Sequence, residues 1–108
     1  MKDKEYCFDF GVTNQLKIIS NKYFYLNNFL LNLIGNPTEV NIGIDNQNKA
    51  MLIKPVDKRL GFVKFYKINR NKIYSNTAVK QVLNITNKKS FDVVFDKELG
   101  GLLVELGD

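Results

Sequence analysis

The hydrophobic pattern along this chain runs through one succession of periods and then runs through it again. Leu16-Lys17-Ile18-Ile19-Ser20 turns at Asn21-Lys22 into Tyr23-Phe24-Tyr25-Leu26, and this near-alternation of apolar and polar residues predicts a strand pair. The spacing then switches to that of a helix, with Leu30, Leu33 and Ile34 on one narrow stripe, Asn27 in the cap position and Gly35 at the end. Two strands follow, Val40–Asp45 and Ala50–Pro55, joined by Asn46–Lys49. The second passage reads Phe62–Ile68, a turn at Asn69–Asn71, and Lys72–Ser75. Its helix carries Val79, Val82 and Leu83, and its closing strands are Phe91–Asp96 and Gly101–Leu106. Asn76 takes the place of Asn27, and Asn84 that of Gly35, as the residue expected to end the helix in the left-handed conformation. Two extra residues are expected in the second helix-to-strand loop. A further edge strand is expected at Tyr6–Phe10.

Each half therefore reads β-β-α-β-β, over roughly residues 14–55 and 61–106, with a linker at 56–60. Units of this size rarely fold alone, so a single domain spanning 1–108 is expected, both halves sharing one core. Closing the strands on one another removes exposed edges. The expected fold class is mostly β with two short helices (α+β): a pseudo-twofold, duplicated ββαββ barrel.

The order of strand, cap, short helix, Gly35, hairpin with Asp45 at its turn, and strand ending in Lys54-Pro55 resembles the SpoVT/AbrB family of swapped-hairpin transcription factors. The resemblance covers about 80 of the 108 residues. With both copies on one chain, the arrangement is similar to MraZ and to the duplicated cradle-loop and double-psi barrels. The resemblance implies an interleaved barrel that binds DNA. The chain has Leu26-Asn27 and Ser75-Asn76 where that family carries proline before the helix. It also holds only two arginines, Arg59 and Arg70, against the family's Arg-rich contact segments.

Composition narrows the chemistry. There is no histidine, which removes the usual general base and the commonest metal ligand, and Cys7 has no partner for a disulfide or a thiolate site. Ser20, Ser75 and Ser90 lack a histidine to activate them. No enzyme, metal or cofactor is expected. Asp45 and Asp96 occupy matching places, and each reads as a turn residue bonding its own backbone. The longest apolar stretch, Phe29–Ile34, falls far short of a membrane span, and the opening MKDKEYCFDF contains no signal-peptide core. A cytoplasmic protein, monomer or homodimer, is expected. Fourteen lysines against two arginines and fourteen asparagines also match AT-rich codon usage, so part of the basic balance need not reflect a partner.

The charge is nevertheless unevenly spread. Lys54, Lys58, Arg59, Lys64, Lys67, Arg70, Lys72 and Lys80 face a single acid, Asp57, between positions 54 and 80. Clustered cations are what phosphate neutralisation requires, and Phe62, Phe65 and Tyr66 interleave with Lys64 and Lys67 as if to stack on unpaired bases. The candidate nucleic-acid contacts are Lys54, Lys58, Arg59, Lys64, Lys67, Arg70 and Lys72. Lysine favours phosphate over bidentate reading of guanine, so weak sequence specificity is expected; the family resemblance implies DNA ahead of RNA and a transcriptional role. Two other readings stand beside this one. In the first, Val63 and Phe65 share a core-facing side while Lys64 and Tyr66 share a solvated one. In the second, the protein is an interaction factor or inhibitor of phage or mobile-element type that presents its basic face to an acidic protein. Alternation buries Phe24 and turns Tyr23 and Tyr25 outward.

Overall fold

The computed structural model describes residues 15–57, 59 and 64–107. The expected strand at Tyr6–Phe10, Cys7, Lys58, Phe62 and Val63 lie outside the described residues. In chain order the elements are β1 (Gln15–Ile19), β2 (Tyr23–Tyr25), α1 (Asn28–Leu33), β3 (Glu39–Asp45), β4 (Ala50–Pro55), β5 (Tyr66–Lys67), β6 (Lys72–Tyr74), α2 (Asn76–Ile85), β7 (Ser90–Asp96) and β8 (Gly101–Glu105). The strands form one antiparallel sheet in the order β5-β3-β4-β8-β7-β1-β2-β6. An Asn69–Lys72 bridge, bonded both ways at 3.0 Å, joins the two ends and nearly closes a barrel.

The order of the strands is unchanged when β1–β4 are exchanged for β5–β8. The registers follow the same rule. Around β4 and β8, Leu52 faces Leu103, flanked by Met51–Val104 and Ile53–Leu102. Around β2 and β6, Phe24 faces Ile73, flanked by Tyr23–Tyr74 and Tyr25–Lys72. The tight turns repeat as well. Ser20 and Asn21 have φ of 53° and 54°, and Arg70 and Asn71 have φ of 52° and 69°. Two successive left-handed residues are the backbone of hairpin turns whose twist suits the flanking strands. Lys49 (φ 53°) and Gly100 (φ 74°) end the two longer loops in the same conformation. At their starts, Asp45 Oδ1 accepts from the Gln47 and Asn48 amides and Asp96 Oδ1 from the Leu99 amide, so both aspartates are turn residues.

The helices follow a different phase from the expected one. Asn27 Oδ1 caps α1 by accepting from the Leu30 amide, whereas Ser75 Oγ, not Asn76, caps α2 by accepting from the Ala78 amide. The buried faces are accordingly Leu30, Leu31 and Ile34 on α1 and Ala78, Val79 and Val82 on α2. Leu33, expected inside, is exposed. Gly35 (φ 82°) and Asn36 (φ 52°) terminate α1, the Asn36 amide donating to the Leu31 carbonyl. Asn84 does no such thing: α2 continues to Ile85 and stops at Thr86 in extended backbone. The two additional residues of the second half are taken up in helix rather than in a loop. A serine cap one position earlier shifts the whole helix by one residue, and a 3.6-residue period accommodates the slip without exposing the stripe.

The core runs through the barrel and under both helices, with Leu16, Phe24, Leu26, Leu30, Met51, Ile53, Ile73, Leu102 and Leu106 its largest fully buried members. Among the described residues no helix is long and apolar enough to cross a membrane.

Candidate nucleic-acid interface

Barrel closure sorts the charges in a way the linear order conceals. Residues 15–38 and 64–91 contain no aspartate or glutamate but nine cations, among them Lys17, Lys22, Lys64, Lys67, Arg70 and Lys72. These two segments supply β1, β2, β5, β6 and both helices, and β1, β2, β6 and β5 are neighbours around the barrel. All seven acids of the described residues lie instead on β3, β7, β8, the β7–β8 loop and, as Asp57, just after β4. One side of the molecule is thus cationic without counter-charge, save where Glu39 pairs across from Lys67.

The sequence-predicted cluster divides across this boundary. Lys54 sits on β4, three strands round the barrel from Lys72 on β6. Arg59 lies beside Lys54's strand and is committed to Asp57, its Nε and a terminal nitrogen each 3.0 Å from a carboxylate oxygen. The guanidinium's hydrogen bonds hold Asp57 down at about 2. Because that value lies below the ordinary 3.8, the favourable pairing is complete above about pH 4 and fades as pH falls toward 2. Carboxyl titration by NMR should place Asp57 near 2 and move it back toward 3.8 in Arg59→Gln.

Asn41 organises this corner. It is buried, its side-chain amide donates to the Lys64 carbonyl at 3.0 Å, and its oxygen accepts from the Asp57 amide at 3.0 Å. One side chain therefore pins both flanks of the segment between β4 and β5 and satisfies two backbone groups that would otherwise be costly to bury. Lys64 is exposed with its Nζ 5.4 Å from the Tyr66 ring centroid.

The remaining predicted residues do come together. Lys67 is on β5, Arg70 in the β5–β6 turn and Lys72 on β6. The turn is fastened to the start of α1, since Asn71 donates to the Leu26 carbonyl at 2.8 Å and to Asn28 Oδ1 at 2.9 Å. Which aromatics accompany these cations also differs from expectation. Tyr66 packs on the core while Phe65 is 50% exposed, so β5 has the opposite facing from the one in which Phe65 goes inside.

The aromatics beside Lys72 come from both halves of the chain. Tyr23 and Tyr25 flank the buried Phe24, and Tyr74 follows the buried Ile73, so all three tyrosines point outward. Tyr23 and Tyr74 are opposite each other with ring centroids 4.8 Å apart, and Lys72 Nζ stands 5.0 Å from the Tyr23 centroid. Lys17 lies opposite Tyr25 from the β1 side. Lys17 and Tyr74 went unremarked as contacts in the linear reading. Their signal was the outward phase of β1 and β6, which points to a shared surface only when β2 is known to run between them.

The opposite side of the barrel, which carries the acids, also holds an apolar row. Gly43, Leu52, Leu103 and Val94 form one outward row across β3, β4, β8 and β7. Val94 is 59% exposed there. Gly43, Leu52 and Leu103 of this row, with Leu99, border a shallow hollow of about 330 Å³. Among the described residues no group of three or more His, Cys, Asp or Glu side chains is placed to hold a metal ion. No known family model, curated protein sequence or solved structure matches the chain.

Proposed function

We propose that this protein is a non-enzymatic nucleic-acid-binding module, built as a duplicated ββαββ barrel of swapped-hairpin type, with DNA its principal target. The exchange-invariant strand order and the repeated registers support the duplication. The acid-free half of the barrel carries the functional reading: a surface with cations and no carboxylates concentrates phosphate and releases its counterions on binding. Lys67, Arg70 and Lys72, joined by Lys17, form its centre. Lys64 extends it toward Lys54, and Lys58 belongs to the same proposed set. Arg59 contributes least, because its forked contact is already occupied by Asp57.

Binding of a fluorescent oligonucleotide measured against salt tests this. About four phosphate contacts should give a log–log slope near −3. Arg70→Glu should weaken binding more than Arg59→Glu, and Lys67→Glu with Arg70→Glu and Lys72→Glu should remove it, with the fold intact by circular dichroism. A flat salt response would overturn the proposal. The apolar row around Val94 favours a second reading, a protein-interaction factor, which would reveal itself as a complex that nuclease does not dissolve.

A further inference from the structure

We infer that the outer face of β1, β2 and β6 is a stacking platform for unpaired bases, so that the preferred ligand is single-stranded nucleic acid. The inference rests on the nucleic-acid reading above and specifies its substrate. Residues two apart on a strand project from the same side about 6.6 Å apart, so Tyr23 and Tyr25 form two steps along β2. Tyr74, 58% exposed, widens the first step from across the strand pair.

Each step has its own cation. Lys72 is the cross-strand partner of Tyr25 and reaches the Tyr23 ring, and Lys17 flanks Tyr25 on the other side. A base on a tyrosine ring therefore has an ammonium within reach of its phosphate. Beyond Tyr74, the Asn69–Lys72 bridge sets Lys67 opposite it on β5, and exposed Phe65 follows on the same side. The surface alternates rings and cations across four strands without a carboxylate until Glu39. A duplex keeps its base faces stacked internally and can offer this surface only phosphates. A single strand offers both phosphates and faces, and aromatics on an open sheet face are a known solution for holding two or three bases. Ring stacking does not discriminate among bases, which agrees with the scarcity of arginine for reading base edges.

The chain has five tyrosines and no tryptophan, so its own tyrosine emission reports the platform. An oligothymidylate of about 12 nucleotides should quench that emission and bind at least about tenfold tighter than a duplex of equal length. Tyr74→Ala should cost about tenfold in single-strand affinity with the duplex affinity unchanged, and Tyr74→Phe, which keeps the ring, should restore it. Tyr74 is exposed, so both variants should unfold at the wild-type urea midpoint; Tyr25→Ala gives the same readout at the second step. Equal affinity for single strand and duplex, with Tyr74→Ala and Tyr25→Ala binding like wild type, would overturn the stacking platform and leave the nucleic-acid reading standing. Absence of binding to either form at low salt would overturn both.

Discussion

Replacing Phe24 by alanine should destabilise the protein by about 3–5 kcal/mol in urea unfolding, while Tyr25→Ala, one residue along, should stay within about 0.5–1 kcal/mol. Phe24 is the largest fully buried side chain among the described residues. It lies in the middle of β2 opposite Ile73, at one of the two points where the halves of the barrel exchange. Removing its ring empties a cavity lined by both halves, and a nearly closed barrel has little freedom to collapse into it. Tyr25 faces water and gives up mainly surface contacts. Similar losses for the two variants would mean that β2 does not have the facing described and that the tyrosine platform fails with it.

The second large effect is expected at Gly101. A β-carbon there would lie 2.5 Å from the Ile53 carbonyl oxygen and 2.7 Å from Lys54 Cβ. The oxygen belongs to the backbone of β4 and cannot swing aside, so β4 and β8 would have to separate where they cross. Gly101→Ala should cost about 1–3 kcal/mol and Gly101→Val more. Gly43 supplies the control, because a β-carbon at that position meets nothing within 4 Å. Gly43→Ala should be neutral or stabilise by up to about 1 kcal/mol by restricting the unfolded chain. A harmless Gly101→Ala would show that β8 lies further from β4 than the register requires. The matching place in the first half is occupied by Ala50, so the likeness of the halves is broken here by one methyl group.

Much of this architecture is legible residue by residue. The phase of Leu16 and Ile18, of Phe24 between two tyrosines, and of Met51 and Ile53 assigns an inward face to β1, β2 and β4 before any partner is known. Asp45 and Asp96 likewise declare their turns by local backbone chemistry, whereas the first tight turn falls at Ser20-Asn21, one residue before the expected Asn21-Lys22. The helices are less transparent. Asn76 is as good a cap by type as Ser75, and only the packing of Ala78 and Val79 against the barrel settles which one serves. Gly101 reads as one half of a Gly-Gly turn, and nothing local distinguishes it from Gly100, whose positive φ is the turn's requirement.

Charge is where the linear reading departs furthest from the molecule. A run of eight cations between positions 54 and 80 appears as one patch, yet Lys54 and Arg59 go with the acids while Lys67, Arg70 and Lys72 join Lys17. The amino-acid sequence alone determined the succession of elements, the inward face of most strands and the aspartates of the two longer turns. Each depends on backbone preferences and side-chain periodicity acting within a few positions. Tertiary structure decided which strands are neighbours, and with that which charges and rings share a surface. Gln15 and Asp92, hydrogen-bonded from 77 positions apart, belong to a pairing that comes from closing one core around both halves, and no local period records it.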